Sequence, residues 1–412
     1  MAMVRPFKAI RPSAEYAERV AALPYDVMNS AEARVMVENN PHSFLHVDKA
    51  EIDLPVGTDL YAPEVYAKAK ENLDNMVQTG VMKEDGQAMF YLYRLTMNGR
   101  AQTGLVACTS IDEYLDNKIK KHELTLEAKE QDRIRHVEAC NANTGPIYLA
   151  YKAQAEIDAL VADWCEKHAP EVDFVADDGI GHAVWAVDCP NMCTAIASAF
   201  AKVDALYIAD GHHRNASAVK VGLKKRAANP GYAPDAEFNF YLSVIFPDSQ
   251  LMIMDYNRVI KDLNGLTCAD FLTKLGEKFT IADSADGKPT NRHSFGMYLD
   301  GGWKMLALKD GIVNEADPVA SLDVSVLQAN VLTPLLGIDD PRTNKRIDFV
   351  GGMRGLGELQ KRVDSGEMAV AFAMFPTSMG ELLSVADVGL IMPPKSTWFE
   401  PKLRSGLFIH TL

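Results

Sequence analysis

The sequence predicts an α/β or α+β fold with mixed sheets and flanking helices. Short apolar runs typical of buried strands alternate with longer segments of helical periodicity, and such elements pack as layers over a sheet. Of the 412 residues, 48% are hydrophobic and 24% are charged. That composition supports a large core, and the length favours a division into two domains.

The elements of the first half follow from apolar periodicity and from the residues that start and stop helices. Ser30 is predicted to cap one helix and Pro41 to end it. Asn98-Gly99 predicts a tight hairpin turn. The predicted elements are an extended segment at 4–10, helices at 13–22, 31–38 and 63–80, paired strands at 89–94 and 103–110, a helix at 124–140, a strand at 147–151, helices at 156–168 and 194–202, a strand at 205–209 and a helix at 215–228.

A polar break at Asn229-Pro230-Gly231 separates these elements from a second series, which places predicted domains at 1–235 and 236–412. The tail of the second domain is expected to return to the functional site of the first. The second series comprises a strand at 238–246, a helix at 268–279, a hairpin around 300–302, a strand at 347–350, a helix ending near 364, a strand at 369–374 and a loop-like tail from 392.

Charge and composition limit the classes of binding partner that this chain is expected to have. The formal net charge of −14 repels the phosphate backbone of nucleic acids and favours a small-molecule or protein partner. No apolar run approaches the roughly 20 residues of a membrane span, and the first residues lack the apolar core of a secretory signal. We therefore expect a cytoplasmic protein without a membrane partner, and a homo-oligomer is left open. The six scattered cysteines predict free thiols.

The most informative segment is the corner where the strand at 205–209 meets Asp210-Gly211-His212-His213-Arg214. Gly211 permits a tight backbone approach, the following helix offers free N–H groups, and the fork of Arg214 suits phosphate oxygens. Asp210 is a candidate Mg²⁺ ligand or proton acceptor, and His212 and His213 are candidate hydrogen-bond donors. The alternative is that Asp210 only caps the helix while the histidines face solvent.

A second candidate cluster is His122-Glu123 followed by Lys129 and Arg133. Lys129, Asp132, Arg133 and His136 follow one another at spacings of three, one and three residues, which places their side chains on one helix face. The cations on this face could bind phosphate groups. A solvated helix crossed by salt bridges would have the same pattern, so both interpretations are kept.

The third cluster is Lys395-Ser396-Thr397, with Lys402, in the proline-rich tail. Lysine beside short hydroxyl side chains suits a phosphate contact, and simple docking of the tail is the alternative. Asp26, in Pro24-Tyr25-Asp26-Val27, either faces the pocket expected at the Asp210–Arg214 loop or belongs to a turn.

The Asp210–Arg214 segment resembles the signature loop of the superfamily that contains ParB, sulfiredoxin and free serine kinases, and the kinase branch has the same five residues. Nearly the whole chain resembles a large uncharacterised prokaryotic family, domain of unknown function 1015, often described as ParB-like. The stretches that match this family are Arg5-Pro6-Phe7, Pro24 to Val27, Asn40 to Leu45, His122 to Arg133, Asp340-Pro341-Arg342 and Pro393 to Phe399.

This resemblance implies a ParB/sulfiredoxin-like nucleotide-binding core over residues 1–235, with an inserted helical segment, and ATP or ADP with Mg²⁺ as cofactors. Family members usually have an aromatic residue after the loop arginine, whereas this chain has Asn215. The loop contains no cysteine, so sulfinic reductase chemistry, which needs a reactive thiol, is not expected. The candidate catalytic residues are Asp210, His212, His213, Arg214, His122 and Glu123. The candidate nucleotide contacts are Gly211, Arg214, Lys395, Ser396, Thr397, Lys129 and Arg133, and the candidate metal ligand is Asp210.

The leading hypothesis is a nucleotide-dependent phosphotransferase that acts on a small hydroxylated metabolite, with free serine first because the loop matches that branch. The alternative is a ParB-like nucleotide-binding or nucleotide-hydrolysing regulator that acts through a protein or DNA partner. That alternative requires a basic DNA-reading module. No stretch combines a helix-turn-helix pattern with clustered Lys and Arg apart from Lys220 to Arg226, which is short and is interpreted as a solvated helix face. A metabolite-binding protein without catalysis is the third hypothesis.

Overall fold

The computed structural model describes residues 2–412 and forms two compact units. The first unit comprises the chain up to Leu251 together with the terminal segment Pro401–Leu412, and the second unit comprises Met252–Glu400. The prediction of α/β architecture is confirmed, since helices alternate with strands throughout both units.

The first unit contains most of the secondary structure. In chain order, its elements are β1 (Val4–Arg5), β2 (Ile10–Pro12), α1 (Ala17–Val20), α2 (Ser30–Val37), α3 (Leu45–Asp48), α4 (Pro63–Gln78), β3 (Met82–Glu84), β4 (Phe90–Met97), β5 (Arg100–Ser110), α5 (Ile111–Leu115), β6 (Ile119–Lys120), α6 (Glu127–Cys140), β7 (Ala142–Asn143), β8 (Ile147–Tyr151), α7 (Ala155–Lys167), β9 (Val172–Val175), β10 (Gly181–Val187), α8 (Pro190–Phe200), β11 (Leu206–Asp210), α9 (His212–Ala228) and β12 (Phe240–Pro247).

A mixed sheet of nine strands organises this unit. Its order is β6-β11-β8-β12-β5-β4-β10-β9, and β1 pairs with β5. The pairs β6–β11 and β8–β12 are parallel, while the remaining neighbours are antiparallel. Apolar side chains of the sheet pack with buried residues of α7, α8 and α9, including Trp164, Phe200 and Val219. Pairing with β6 and β8 places β11 inside the sheet, and its last residue, Asp210, lies two residues before the start of α9.

The second unit is built on an antiparallel sheet of six strands. The elements of this unit are β13 (Tyr256–Ile260), α10 (Cys268–Leu275), β14 (Phe279–Asp283), β15 (Ser294–Leu299), β16 (Gly302–Leu308), α11 (Asp323–Leu327), β17 (Ile347–Gly351), α12 (Leu356–Asp364), β18 (Val370–Met374) and α13 (Met379–Asp387). The order of the strands in the sheet is β14-β16-β15-β18-β13-β17.

The terminal segment adds β19 (His410–Thr411), which pairs with β7 of the first unit. Single bridges join Ala22 to Ser405 and Ile10 to Ile409. All six cysteines are free, as predicted. None of the helices formed by residues 2–412 has the length and apolar character that crossing a bilayer requires.

Several predicted boundaries were wrong. The helix predicted from 215 begins at His212, because Gly211 adopts a left-handed conformation (φ 92°) and turns the chain before it. The helix predicted from 124 begins at 127, after the extended residue Leu126. Asn29, and not Ser30, caps α2, since its side chain accepts two backbone N–H groups in a capping box. The helix predicted over 268–279 ends at 275, and Phe279 begins β14.

Candidate functional site

The predicted corner lies between β11 and α9. Residues Leu206–Ala209 of β11 are buried, and Asp210 is the last residue of the strand. Gly211 is the N-cap of α9, and no side chain caps the first turn of that helix. The N–H groups of a first turn have no partner within the helix, so this end of α9 presents donors and the positive end of the helix dipole.

Asp210 is held by two contacts on opposite oxygens. Its Oδ1 accepts the backbone N–H of Gly211 at 2.9 Å, and its Oδ2 pairs with Nζ of Lys402 at 3.2 Å. Burial opposes ionisation of this carboxyl, but the positive charges of Lys402 and Arg214 outweigh it and lower the pKa of Asp210 to about 2. Asp210 is therefore ionised at neutral pH.

The side chain of Arg214 packs over the backbone of the corner. Its Nη1 donates to the carbonyl oxygen of Pro146 at 2.6 Å. A Cβ built on Gly211 would lie 3.2 Å from Nε of Arg214, and one built on Gly145 would lie 3.5 Å from its Nη1. The guanidinium is thus confined between two glycines, and its Nη1 is bonded to a neutral carbonyl oxygen.

Of the two histidines of the corner, His212 is buried and His213 is half-buried. His212 is buried, and its ring meets the ring of His122 edge-on, with centroids 4.5 Å apart. Nε2 of His212 accepts the backbone N–H of His122 at 3.5 Å, so the neutral ring carries its proton on Nδ1, which lies 3.6 Å from Oε2 of Glu123. Nε2 of half-buried His213 accepts the N–H of Leu126 at 3.0 Å.

Burial lowers the pKa of all three histidines, and their mutual repulsion adds to the effect in His212. The pKa of His122 falls to about 4 despite the nearby charge of Asp210. These rings are consequently neutral near pH 7. Neither ring nitrogen of His122 has a side-chain hydrogen-bond partner among residues 2–412.

The helix face predicted from Lys129 to His136 lines a cavity of about 180 Å³ together with Tyr25, Asp26 and Asp48. Arg133 is only 8% exposed and stacks over the ring of Tyr25, with Cζ 4.0 Å from the ring centroid. Its Nη2 also pairs with Asp132 at 2.8 Å. This part of α6 is therefore a buried polar wall, and the solvated-helix interpretation was wrong for Arg133 and His136.

Asp48 and Thr144 belong to this wall, although neither was among the residues predicted from the sequence. Oγ1 of Thr144 donates to Asp48 at 3.0 Å and lies 3.1 Å from Nε2 of His136. Burial raises the pKa of Asp48, and the charge of Arg133 opposes that rise. Arg133, Asp48 and Arg214 all line a second cavity, of about 20 Å³, and the first two of these residues also line the larger one. The matching stretch Asn40–Leu45 ends three residues before Asp48 and was the available signal for that residue.

The third predicted cluster belongs to the second unit and is held by contacts within it. The carbonyl of Lys395 accepts from Nη2 of Arg258 at 2.9 Å. Ser396 is buried; its Oγ donates to Pro393, and its carbonyl accepts from Thr377 at 2.9 Å. Thr397 follows in the same partly buried segment. These are contacts of the kind that a docked tail makes.

Mg²⁺ was predicted at Asp210. Within residues 2–412, no three His, Cys, Asp or Glu side chains converge in a way that would hold a metal ion by themselves. Mg²⁺ in nucleotide sites commonly takes one or two carboxylates together with phosphate oxygens and waters. The single ionised carboxylate of Asp210 fits that mode, in which the phosphates of a nucleotide complete the ligand set.

Comparisons with known proteins agree with the family resemblance. The profile of a family described as "Protein of unknown function (DUF1015)" matches residues 4–325. No curated protein matches the chain.

Solved structures show weak likeness. A free serine kinase in complex with AMP is 15% identical with a TM-score of 0.35, covering 73% of this chain and 92% of that one. SbnI with a C-terminal truncation, from Staphylococcus aureus, is 12% identical with a TM-score of 0.40, covering 73% and 85%. A conserved hypothetical protein from Pyrococcus furiosus is 15% identical with a TM-score of 0.34, covering 74% and 94%. Likeness at this level carries no functional argument.

Proposed function

Because this chain belongs to the DUF1015 family, whose description leaves activity open, we propose from the chemistry of its own site that it is a nucleotide-dependent phosphotransferase. The acceptor is a small hydroxylated metabolite, and free serine is the first acceptor to test because the Asp210–Arg214 loop resembles that of free serine kinases. ATP or ADP with Mg²⁺ is the proposed phosphoryl donor.

One observation carries this proposal. Two arginines, Arg214 at the first turn of α9 and Arg133 on α6, line the same cavity beside an uncapped helix N-terminus. Phosphoryl transfer depends mainly on alignment and on neutralising the charge of the phosphate oxygens. Guanidinium forks and helix N–H groups supply both, and Lys129, which lines the larger cavity together with Arg133, adds a further cation.

The ionisation of Asp210 favours one of its two predicted roles. A carboxylate with a pKa of about 2 is a weak proton acceptor near pH 7, whereas it is always charged for a cation. We therefore assign Asp210 to Mg²⁺, which when bound would neutralise phosphate charge. The neutral rings of His212 and His213 lie beside it and are the proposed groups for hydrogen bonding to phosphate or acceptor.

The test is phosphoryl transfer by the full chain from ATP or ADP, with Mg²⁺, to a panel of hydroxylated metabolites that includes serine. Consumption of nucleotide only in the presence of an acceptor supports a phosphotransferase. Nucleotide-stimulated binding to DNA, without an acceptor requirement, would instead support the regulatory alternative. Asp210→Asn and Arg214→Ala are each expected to abolish turnover while the far-ultraviolet circular dichroism stays unchanged. Full turnover in both variants would show that Asp210 and Arg214 take no part in the reaction.

A further inference from the structure

Asp48 is the carboxylate that lines both cavities of the site. It lines the smaller cavity together with Arg133 and Arg214, and no other Asp or Glu among residues 2–412 lines that cavity. The larger cavity has three further carboxylates, which belong to Asp26, Glu51 and Asp132. A group bound beside both arginines therefore meets one carboxylate, that of Asp48.

The other carboxylates of the larger cavity have different surroundings. Glu51 pairs with Nζ of Lys49 at 3.0 Å, and Asp132 pairs with Nη2 of Arg133 at 2.8 Å. Protonating either carboxylate would break its ion pair, so we assign these two groups to holding the lysine and the arginine in place. Asp26 is exposed and lines the larger cavity but not the smaller one.

Asp48 is held by hydroxyl groups. Oγ1 of Thr144 donates to its Oδ1 at 3.0 Å, and the hydroxyl of Ser405 donates to the same carboxyl group. Nε2 of His136 lies 3.1 Å from Oγ1 of Thr144, so a chain of polar groups ends at Asp48. These neutral donors orient the carboxylate, and no ion pair has to break when it takes a proton.

Burial and the surrounding charges set the proton affinity of Asp48. Burial raises its pKa, and the charges of Arg133 and Arg214 oppose that rise without cancelling it. His136, 3.7 Å away, is neutral because burial lowers its pKa well below the usual value. The thiol of Cys140, 3.8 Å from that ring, stays protonated because burial raises its pKa to about 12. A general base is most effective when its pKa is near the working pH, so the rise suits this role.

We propose that Asp48 is the proton acceptor of the phosphoryl transfer and that the acceptor metabolite occupies the larger cavity with its hydroxyl group against this carboxylate. A lone pair of the hydroxyl oxygen forms the bond to phosphorus. The bond from phosphorus to the bridging oxygen of the nucleotide breaks, with its electrons left on that oxygen, and the hydroxyl proton passes to Asp48. A cavity of about 150 Å³ holds a molecule the size of benzene, so the 180 Å³ of the larger cavity suits a small acceptor. This inference deepens the proposed function and rests on it for the existence of the reaction.

The test measures kcat of the full chain for phosphoryl transfer to the panel of hydroxylated metabolites, together with the Kd of Mg-ADP. Asp48→Asn is expected to lower kcat by about a hundredfold or more, which is the usual contribution of a general base. Its Kd for Mg-ADP should stay within about twofold of wild type or fall, because a negative charge near both arginines is removed. Glu113→Gln is the matched control and should turn over like wild type. Glu113 is also buried, has a pKa raised by burial, and accepts the N–H of Met3 outside both cavities.

The pH dependence separates this role from a structural one. In wild type, kcat should fall as the pH is lowered through the pKa of Asp48, which lies above the ordinary value of 3.8, because the protonated group accepts no proton. Thr144→Val removes a donor that stabilises the ionised carboxylate, so this acidic limb should move to higher pH. The limb should be absent from the residual activity of Asp48→Asn, and Asp48→Glu should recover part of the rate.

The outcomes distinguish the role of Asp48 from the proposed function. Wild-type kcat in Asp48→Asn, or an acidic limb that does not move in Thr144→Val, would overturn the role of Asp48 and leave the proposed function standing. Loss of kcat in Asp26→Asn beside a fully active Asp48→Asn would give the role to Asp26. If wild type transfers phosphate to no acceptor, both claims fail. Should Asp48→Asn unfold, the limb in Thr144→Val decides the matter.

Discussion

The guanidinium of Arg214 rests against the backbone of Gly211, so that a Cβ at this glycine would lie 3.2 Å from Nε and 3.3 Å from Cζ of the arginine. Gly211 also has a φ of 92°, a conformation that side-chain-bearing residues adopt at a cost. The glycine therefore serves two purposes, because it turns β11 into α9 and leaves room for the arginine that faces the cavity.

Gly211→Ala is expected to disturb both the turn from β11 into α9 and the position of Arg214. The positive φ should lower the free energy of unfolding by about 1 to 2 kcal/mol, and the added methyl group should displace Arg214 and weaken ADP binding by at least about tenfold. Gly231→Ala is the matched control, since Gly231 has a φ of 84° with nothing within 4 Å of a built Cβ. Chemical denaturation and calorimetry on both variants check this. Equal ADP affinity in the two variants would show that the contact with Arg214 is unimportant.

Tyr25 is expected to act through its ring. The ring lies under the guanidinium of Arg133 at 4.0 Å, and burial raises the pKa of the hydroxyl to about 12, so the side chain is neutral at working pH. A desolvated cation–π contact is worth about 2 kcal/mol. Tyr25→Ala removes the ring that positions Arg133 and is therefore expected to weaken ADP binding by roughly tenfold or more. Tyr25→Phe keeps the ring and should bind within about twofold of wild type. If Tyr25→Phe binds ADP as weakly as Tyr25→Ala, the hydroxyl group and not the ring is responsible for the effect.

Asp323, in the second unit, is expected to make stability depend on pH. Burial raises its pKa from 3.8 to about 6, and the N–H of His293 only partly offsets this. The folded state then holds the proton more tightly than the unfolded state, so the free energy of unfolding falls as the pH rises through this interval. The fall amounts to roughly 3 kcal/mol at 1.36 kcal/mol for each pH unit.

The check is the free energy of unfolding of wild type and Asp323→Asn at about pH 4 and about pH 7. The wild type should lose roughly 2 kcal/mol more than the variant over this range, since the unfolded carboxyl is already partly ionised at about pH 4. Asp262→Asn is a control of opposite sign, because hydrogen bonding to Arg346 lowers the pKa of Asp262 and its contribution is lost as the pH falls. Parallel pH profiles for wild type and Asp323→Asn would refute the assignment.

How far the sequence predicts this site depends on how local each feature is. The Asp210–Arg214 corner was found because a buried strand, a glycine and a helix follow one another within a few residues. The spacing from Lys129 to His136 predicted the shared helix face, but not its burial, which depends on Tyr25 stacking over Arg133. The start of α9 at His212 depended on the conformation of Gly211, which composition alone does not specify.

Two parts of the site were beyond sequence reasoning for a physical reason. Asp48 lies on a helix of only four residues, too short to have a periodic pattern, and its partner Thr144 is 96 positions away. The sequence groups Lys402 with the tail cluster at Lys395, but its pairing with Asp210 depends on the terminal segment returning to the first unit after the second is complete. No local propensity encodes such a contact.

Direct binding of Mg-ADP to the full chain tests the proposal that Arg214 holds phosphate, on which the proposed activity depends. Calorimetry is expected to show that wild type binds Mg-ADP, that Arg214→Ala binds at least about thirtyfold more weakly, and that Arg342→Ala, which removes an exposed arginine paired with Asp340, binds like wild type. An Arg214→Ala protein that is folded and binds Mg-ADP with wild-type affinity would contradict this role for Arg214.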